Sequence, residues 1–228
     1  MRHACPLMIF AAGFGTRMGA LTADRPKPMI EIAGRRMIDR AIDMGEGAGC
    51  APIVVNTHYR ADALGPALTA RGVAVSHETP RILDTGGGLK AALPQLEQDR
   101  IATLNPDAAW SGPNPLRILL DANWPAGAGA LLLLVPEDRA IARSLPGDFK
   151  LGVDGRLTRG GPYVYTGAQL IEAEAVRTIP DKVFSLNAVW NTLAAEGRLH
   201  GLVYPGRWCD VGHPEGLRMA EDLLRETA

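Results

Sequence analysis

Three cysteines in 228 residues, Cys5, Cys50 and Cys209, are too few and too scattered for a disulfide scaffold. There is no Cys-x-x-Cys and no Cys/His cluster, which excludes the usual zinc sites; buried thiols in a reducing cytoplasm are expected. Aromatic residues make up only 5% of the chain, too few for a single-strand stacking platform. No charge dominates: 24 basic residues face 25 acidic ones, for a formal net charge of −1. That argues against a nucleic-acid-coating protein, while leaving room for a local basic pocket. No apolar run approaches a bilayer span, and the longest, Ala130–Val135, reads as a strand. Arg2 and His3 ahead of Ala4–Ala12 mimic a signal peptide, but Pro6 interrupts the stretch and a glycine-rich loop follows. The segment reads as a first strand that stays in the protein.

What is present is ordinary globular composition, 46% apolar and 21% charged, in a chain long enough to bury roughly 70–75% of its unfolded surface. Leu7–Ala11 is short and wholly apolar, as a central parallel strand covered on both faces must be. Further strands are expected at Ile53–Asn56, Val73–Ser76 and Ile101–Leu104. Between them, helices are expected at Arg36–Met44, Ala61–Ala70 and Thr85–Leu93, the last ended by Pro94. This alternation predicts a mostly parallel Rossmann-like α/β sheet flanked by helices, with right-handed crossovers. Ligands in such sheets sit beyond the carboxyl ends of the strands, so the loops after Ala11, Asn56, Ser76 and Leu104 should meet in one crevice. The second half is less regular. Strands are expected at Ala130–Val135, Phe149–Val153 and Tyr163–Thr166, and core-facing helical stripes at Leu186, Val189, Trp190, Leu193 and at Leu217, Ala220, Leu224. No repeat or linker separates independent domains, which favours one α/β domain with a small α+β lobe.

The strongest local signal is Ala11-Ala12-Gly13-Phe14-Gly15-Thr16-Arg17-Met18, directly after the first strand. Glycines let backbone amides approach a phosphate and form an anion-binding nest. A dinucleotide fingerprint needs its third glycine at position 18, where Met18 stands, and no Walker-type Gly-x-x-x-x-Gly-Lys-Ser/Thr occurs. Ten residues on, Pro26-Lys27-Pro28 places a lysine between two prolines, which stiffen the backbone and disfavour helix there. A rigidly held lysine near a phosphate nest is a charge clamp.

These motifs resemble the sugar-1-phosphate nucleotidylyltransferases. The likeness runs from Gly13–Met18 and Pro26–Pro28 through Asn56, His58, Glu78 and Leu83-Asp84-Thr85-Gly86-Gly87-Gly88. It continues in Asn105-Pro106-Asp107, Gly147-Asp148-Phe149, Phe184-Ser185-Leu186 and Trp208-Cys209-Asp210-Val211-Gly212. Within that family the short N-acetylmuramate-1-phosphate uridylyltransferase type is most similar. Many relatives carry glycine where this chain has Pro106.

The resemblance implies a nucleotide-diphospho-sugar transferase (GT-A-like) fold in a single domain over 1–228. Its nucleotide-binding part would span about 1–110 and its sugar-binding part about 111–228. Ala11, Ala12, Gly13, Gly15 and Thr16 would hold the NTP, Arg17 the departing β- and γ-phosphates, and Lys27 the α-phosphate, with Thr85, Gly86 and Gly87 beside the nucleobase. Asp107 and Asp210 would ligate Mg²⁺, with Arg17, Lys27 and Asp107 as the catalytic set. Asn105, Asp148, Glu78 and Asn187 would contact the sugar phosphate, whereas His58 reads better as a hydrogen-bonded loop histidine. The implied reaction joins UTP and N-acetylmuramate 1-phosphate and releases pyrophosphate, a cell-wall recycling step. A guanylyltransferase for mannose- or heptose-type 1-phosphates, a cytidylyltransferase for a phosphorylated amino-alcohol, a non-catalytic nucleotide-sugar sensor and a nicotinamide oxidoreductase are the alternatives. A cytoplasmic monomer or homodimer with no nucleic-acid or membrane partner is expected. The sequence stops at Ala228 without a hexapeptide repeat, so a second acyltransferase activity is not expected.

Overall fold

The protein is described here by a computed structural model covering residues 4–226. Arg2, His3 and Ala228 lie outside the described residues. Four parallel strands form the heart of the sheet, in the order Arg100–Leu104, Leu7–Phe10, Ile53–Thr57, Ala74–His77. Leu7–Phe10 is central because it can be buried on both faces. Leu7 and Ile9 join the core under the helices Met37–Ala48 and Ala61–Ala70, while Met8 points into the core under Asp84–Leu96 and Leu186–Ala195. No described helix is long and apolar enough to cross a membrane.

The chain continues from Leu7–Phe10 toward Ile53–Thr57 on one side, while Arg100–Leu104 flanks it on the other. That reversal is a topological switch point, and it opens a crevice at the carboxyl ends of these two neighbours. The loops that begin at Ala11 and Asn105 are therefore brought together by the sheet itself.

The second half is grafted onto this sheet through one long strand. Tyr163–Glu172 runs ten residues, well past Thr166, and pairs antiparallel with Arg100–Leu104 and with Ala130–Pro136. A register shift between Tyr165 and Gln169 explains the difference. Gly167 takes φ 90° there, and a Cβ on it would meet Asn105 at 2.8 Å, so only glycine fits the bulge. Alternation breaks at such a bulge, which hides the strand's continuation from a period-two reading. The strand Leu199–Val203 extends the sheet beside Ala130–Pro136. A separate three-stranded sheet joins Ala108–Ser111, Arg207–Asp210 and Ala140–Ile141. The C-terminal helix Pro214–Arg225 packs with it over Met18, Ile32 and Val211.

Two proline expectations are corrected. Pro94 lies inside the helix Asp84–Leu96, which runs three residues past Leu93. Lys27–Met29 forms a 3₁₀ turn with Pro28 in its first positions, where a missing N–H costs nothing. Burial raises the thiols of Cys50 and Cys209 to about 12 and pushes Cys5 up as well, so all three stay protonated at neutral pH.

Candidate active site

Three adjoining hollows, of about 230, 310 and 230 Å³, share Asp107 in their walls. The first lies over the glycine loop and takes in Gly13, Gly15, Thr16, Arg17, Lys27 and Gly212. Gly15 adopts φ 65°, and its absent Cβ leaves room for the Lys27 stem, which a side chain would meet at 2.8 Å. Thr22 is 5% exposed and donates its hydroxyl to Gly15 O at 3.1 Å and to Gly19 O at 3.2 Å, pinning the loop. Phe14 packs edge-on against His58 at 5.7 Å, bracing the loop from outside. Lys27 itself is buried, and its Nζ donates to Asp107 Oδ2 at 2.5 Å. Pro26 and Pro28 flank Lys27 and hold it beside Asp107.

Asp107 and Asp210 are brought together by the small sheet. Asp210 pairs in register with Ala108, and Val211 N–H donates to Asp107 O at 2.9 Å. Burial raises the Asp210 carboxyl above its ordinary value, and the neighbouring Asp107 charge adds to that; Lys27, Arg17 and Arg143 pull the other way. Gly212 permits this arrangement, since a Cβ there would meet Arg17 Nη1 at 3.0 Å and Asp210 Oδ1 at 3.2 Å. Asp107 and Asp210 both line the 310 Å³ cavity, and two neighbouring carboxylates are the donor set a hard divalent cation uses alongside phosphate oxygens. The residues fit such an ion. Pro106 lines the same hollow and leaves the Asp107 carboxylate facing Lys27.

The second 230 Å³ hollow is walled by Ala12, Gly13, Asn56, Glu78, Asp84, Thr85 and Asn105. Asn56 Oδ1 accepts the Ala11 N–H at 2.6 Å, and its Nδ2 donates to Glu78 Oε1 at 2.7 Å. Glu78 Oε2 accepts the Leu83 N–H at 2.6 Å, and His58 Nδ1 bonds Glu78 O at 2.8 Å. Glu78, 2% exposed, thus ties three loops together at the back of the hollow. Gly88 makes room for that carboxylate, which a Cβ would meet at 2.5 Å. Gly86 and Gly87 pack instead against Phe184 and Lys182. Neither Asp84 nor Thr85 caps its own helix: Asp84 accepts from the adjacent Thr85 N–H, and Thr85 Oγ1 accepts from Leu186 N–H at 3.0 Å.

The 310 Å³ cavity opens on the other side of Asp107, between Phe149, Tyr165, Asn187, Trp190 and Trp208. Asp148 is engaged at both oxygens, by Arg143 at 3.0 Å and by Tyr165 N–H at 2.9 Å. Asn187 Oδ1 accepts from Arg159 at 2.8 Å, and Asn105 lines this cavity too. The sequence reading overlooked Arg143 and Arg159. Neither sits in a motif; the only signal for Arg143 is its partner Asp148 in Gly147-Asp148-Phe149.

The glycine loop and Lys27 lie at the switch point of the sheet, beside two further hollows. The chain belongs to the MobA-like NTP transferase domain family, whose sequence profile matches residues 7–210. It is a nucleotidyltransferase. It is 36% identical to the N-acetylmuramate alpha-1-phosphate uridylyltransferase of Caulobacter vibrioides, across 96% of each chain. It is 30% identical to the enzyme of the same name from Neisseria meningitidis, across 95% of this chain and 96% of that one. Its fold matches HddC from Yersinia pseudotuberculosis, solved with GMP-PN, at TM-score 0.76 and 21% identity, covering 96% of this chain and 99% of the other.

Proposed function

We infer that the protein joins UTP and N-acetylmuramate 1-phosphate into UDP-N-acetylmuramate and pyrophosphate. The reaction class is nucleotidyl transfer to a sugar 1-phosphate. A phosphate oxygen of the sugar 1-phosphate attacks the α-phosphorus, and the bond to the bridging oxygen of the β-phosphate breaks. The observation that carries this reading is the placement of Asp107 in the walls of all three hollows, so that base, phosphate and sugar sites converge on one carboxylate. Phosphoryl transfer of this kind needs positioning and charge neutralisation rather than a covalent intermediate.

The Gly13–Gly15 turn presents backbone amides to the triphosphate, and Arg17 faces the β- and γ-phosphates that leave. Asp107 and Asp210 would hold Mg²⁺, which would supply charge neutralisation at the α-phosphate. Lys27 then turns from Asp107 to the α-phosphate. Glu78 and Asn56 set the back wall of the base hollow, Thr85 its side, and Asn105, Asp148 and Asn187 line the sugar cavity. Two relatives matched over 96% of their own length support uridylyl transfer to N-acetylmuramate 1-phosphate. A cytoplasmic place in peptidoglycan recycling belongs to this reading.

The test is pyrophosphate release with Mg²⁺, crossing UTP, GTP, CTP and dTTP with N-acetylmuramate, N-acetylglucosamine, glucose and mannose 1-phosphates. Release confined to UTP and N-acetylmuramate 1-phosphate is expected. Preference for GTP with mannose 1-phosphate would replace the substrate assignment while keeping the mechanism. Asp107→Asn keeps the shape and removes a metal-binding charge. It should lower kcat by about 10²–10³-fold, the scale for losing one charge-stabilising group, with thermal stability little changed.

A further inference from the structure

Three arginines line the 310 Å³ cavity, and one of them, Arg143, pairs with Asp148 at 3.0 Å. Arg17 also lines the hollow over the glycine loop, where the NTP phosphates are proposed to lie. Arg159, at the end of the short strand Leu157–Arg159, makes no ion pair among the described residues. Its guanidinium instead rests on two rings, 4.8 Å from the centroid of Phe149 and 5.6 Å from that of Trp190. Its N–H groups reach neutral acceptors: the amide oxygens of Asn187 and Asn191, each at 2.8 Å, and the Asn187 carbonyl at 3.2 Å. The nearby Asp148 charge is already spoken for by Arg143. An arginine braced by aromatic faces and neutral amides is held in one orientation with its charge still available.

Two further atoms in the same wall point to a polar occupant. Tyr165 Oη and Arg143 Nε are both buried and without a hydrogen-bond partner. Burial raises the Tyr165 phenol, so it stays protonated and can donate. Arg17 and Asp107 line both this cavity and the hollow over the glycine loop, whereas Arg159 lines this cavity and not that hollow. The charge on Arg159 therefore belongs to the end of the cavity away from the reacting phosphates.

We propose that Arg159 receives a carboxylate carried on the sugar ring, away from the 1-phosphate, and so selects acidic sugar 1-phosphates. This rests on the reading of the 310 Å³ cavity as the sugar site. N-acetylmuramate differs from N-acetylglucosamine by a lactyl ether on O3 that ends in a carboxylate, and the Arg159 Nη1 N–H groups, which Asn187 and Asn191 leave free, can donate to that group. Tyr165 Oη and Arg143 Nε then satisfy neutral oxygens of the ring or acetamido group.

The experiment compares N-acetylmuramate 1-phosphate with N-acetylglucosamine 1-phosphate in wild type, Arg159→Gln and Arg159→Lys. Each compound is measured as substrate, and also as competitive inhibitor against whichever sugar 1-phosphate the wild type turns over. In Arg159→Gln, the KM or Ki for N-acetylmuramate 1-phosphate should rise by about 10–100-fold, as expected for losing a charge-assisted pair. The value for N-acetylglucosamine 1-phosphate and kcat should stay within about 3-fold, since uniform binding alone is lost. Arg159→Lys should fall between, keeping the charge and losing the planar guanidinium that Asn187 and Asn191 orient. An unchanged preference, or equal losses for both compounds, would overturn the proposal. If the wild type turns over neither compound, the substrate assignment fails; the inhibition ratio and its dependence on Arg159 still decide the carboxylate site.

Discussion

Lys27→Met is expected to lower kcat for pyrophosphate release by about 10²–10³-fold, equivalent to about 2.7–4 kcal/mol of transition-state stabilisation. The methionine matches the lysine stem that fills the space beside Gly15 and Thr22, so packing is retained and only the ammonium is lost. In the proposed reaction, charge on the non-bridging α-phosphate oxygens must be neutralised as the sugar-phosphate oxygen approaches, and Lys27, buried and 2.5 Å from Asp107 in the free enzyme, is the cation proposed to turn to them. Asp107 loses its partner in the free enzyme. Its side chain keeps 30% of its exposure, so water can cover the charge and the fold should be little affected. The expected signature is therefore a fall in kcat with KM for the NTP changed only a few-fold. A kcat within about threefold of wild type would remove Lys27 from the catalytic set.

Gly87→Ala is expected to lower the melting temperature by about 3–10 °C, from an overpacking cost of roughly 1–3 kcal/mol in a domain of this size. Helix propensity alone predicts the opposite sign, because alanine is about 0.8–1.0 kcal/mol better than glycine inside a helix. Packing decides it. A Cβ on Gly87 would sit 2.3 Å from the Lys182 carbonyl oxygen and 3.1 Å from Leu83 Cβ. The obstacle is backbone, held in turn by Gly87 N–H to Phe184 O at 3.0 Å and Phe184 N–H to Leu83 O at 3.2 Å, so no rotamer change relieves it. Displacing that segment also loosens the Thr85 bond to Leu186 N–H, which starts the helix carrying Asn187 and Trp190. KM for the sugar 1-phosphate should rise with the loss of stability. Gly65→Ala is the control: nothing lies within 4 Å of its Cβ position, so propensity should act alone and stabilise the protein by about 0.5–1 kcal/mol. Equal melting shifts for the two variants would discount the packing argument.

The glycine-loop side of the candidate site was legible in the chain because its residues are local. Gly13, Gly15, Arg17 and Lys27 lie within fifteen residues. The turn that needs φ 65° at Gly15 and the prolines that fix Lys27 are written beside the residues they position. The sugar side was only half legible. Asp148 and Asn187 could be singled out from short motifs, but Arg143 and Arg159 could not. Their roles depend on Phe149 and Trp190 from separate elements and on whether a carboxylate partner lies within reach.

By itself the sequence determined the parallel half of the sheet, since a wholly apolar Leu7–Phe10 can exist only between covered faces. It determined the glycine turn as well, since Gly13 and Gly15 follow the strand directly and Gly15 takes φ 65°. The tertiary structure alone decided how the second half joins the first. Gly167 bends the Tyr163–Glu172 strand so that it pairs with Arg100–Leu104, and Asp210 reaches Asp107 only because Arg207–Asp210 pairs with Ala108–Ser111. Strand partners so far apart in sequence are chosen by packing, and no local propensity encodes them.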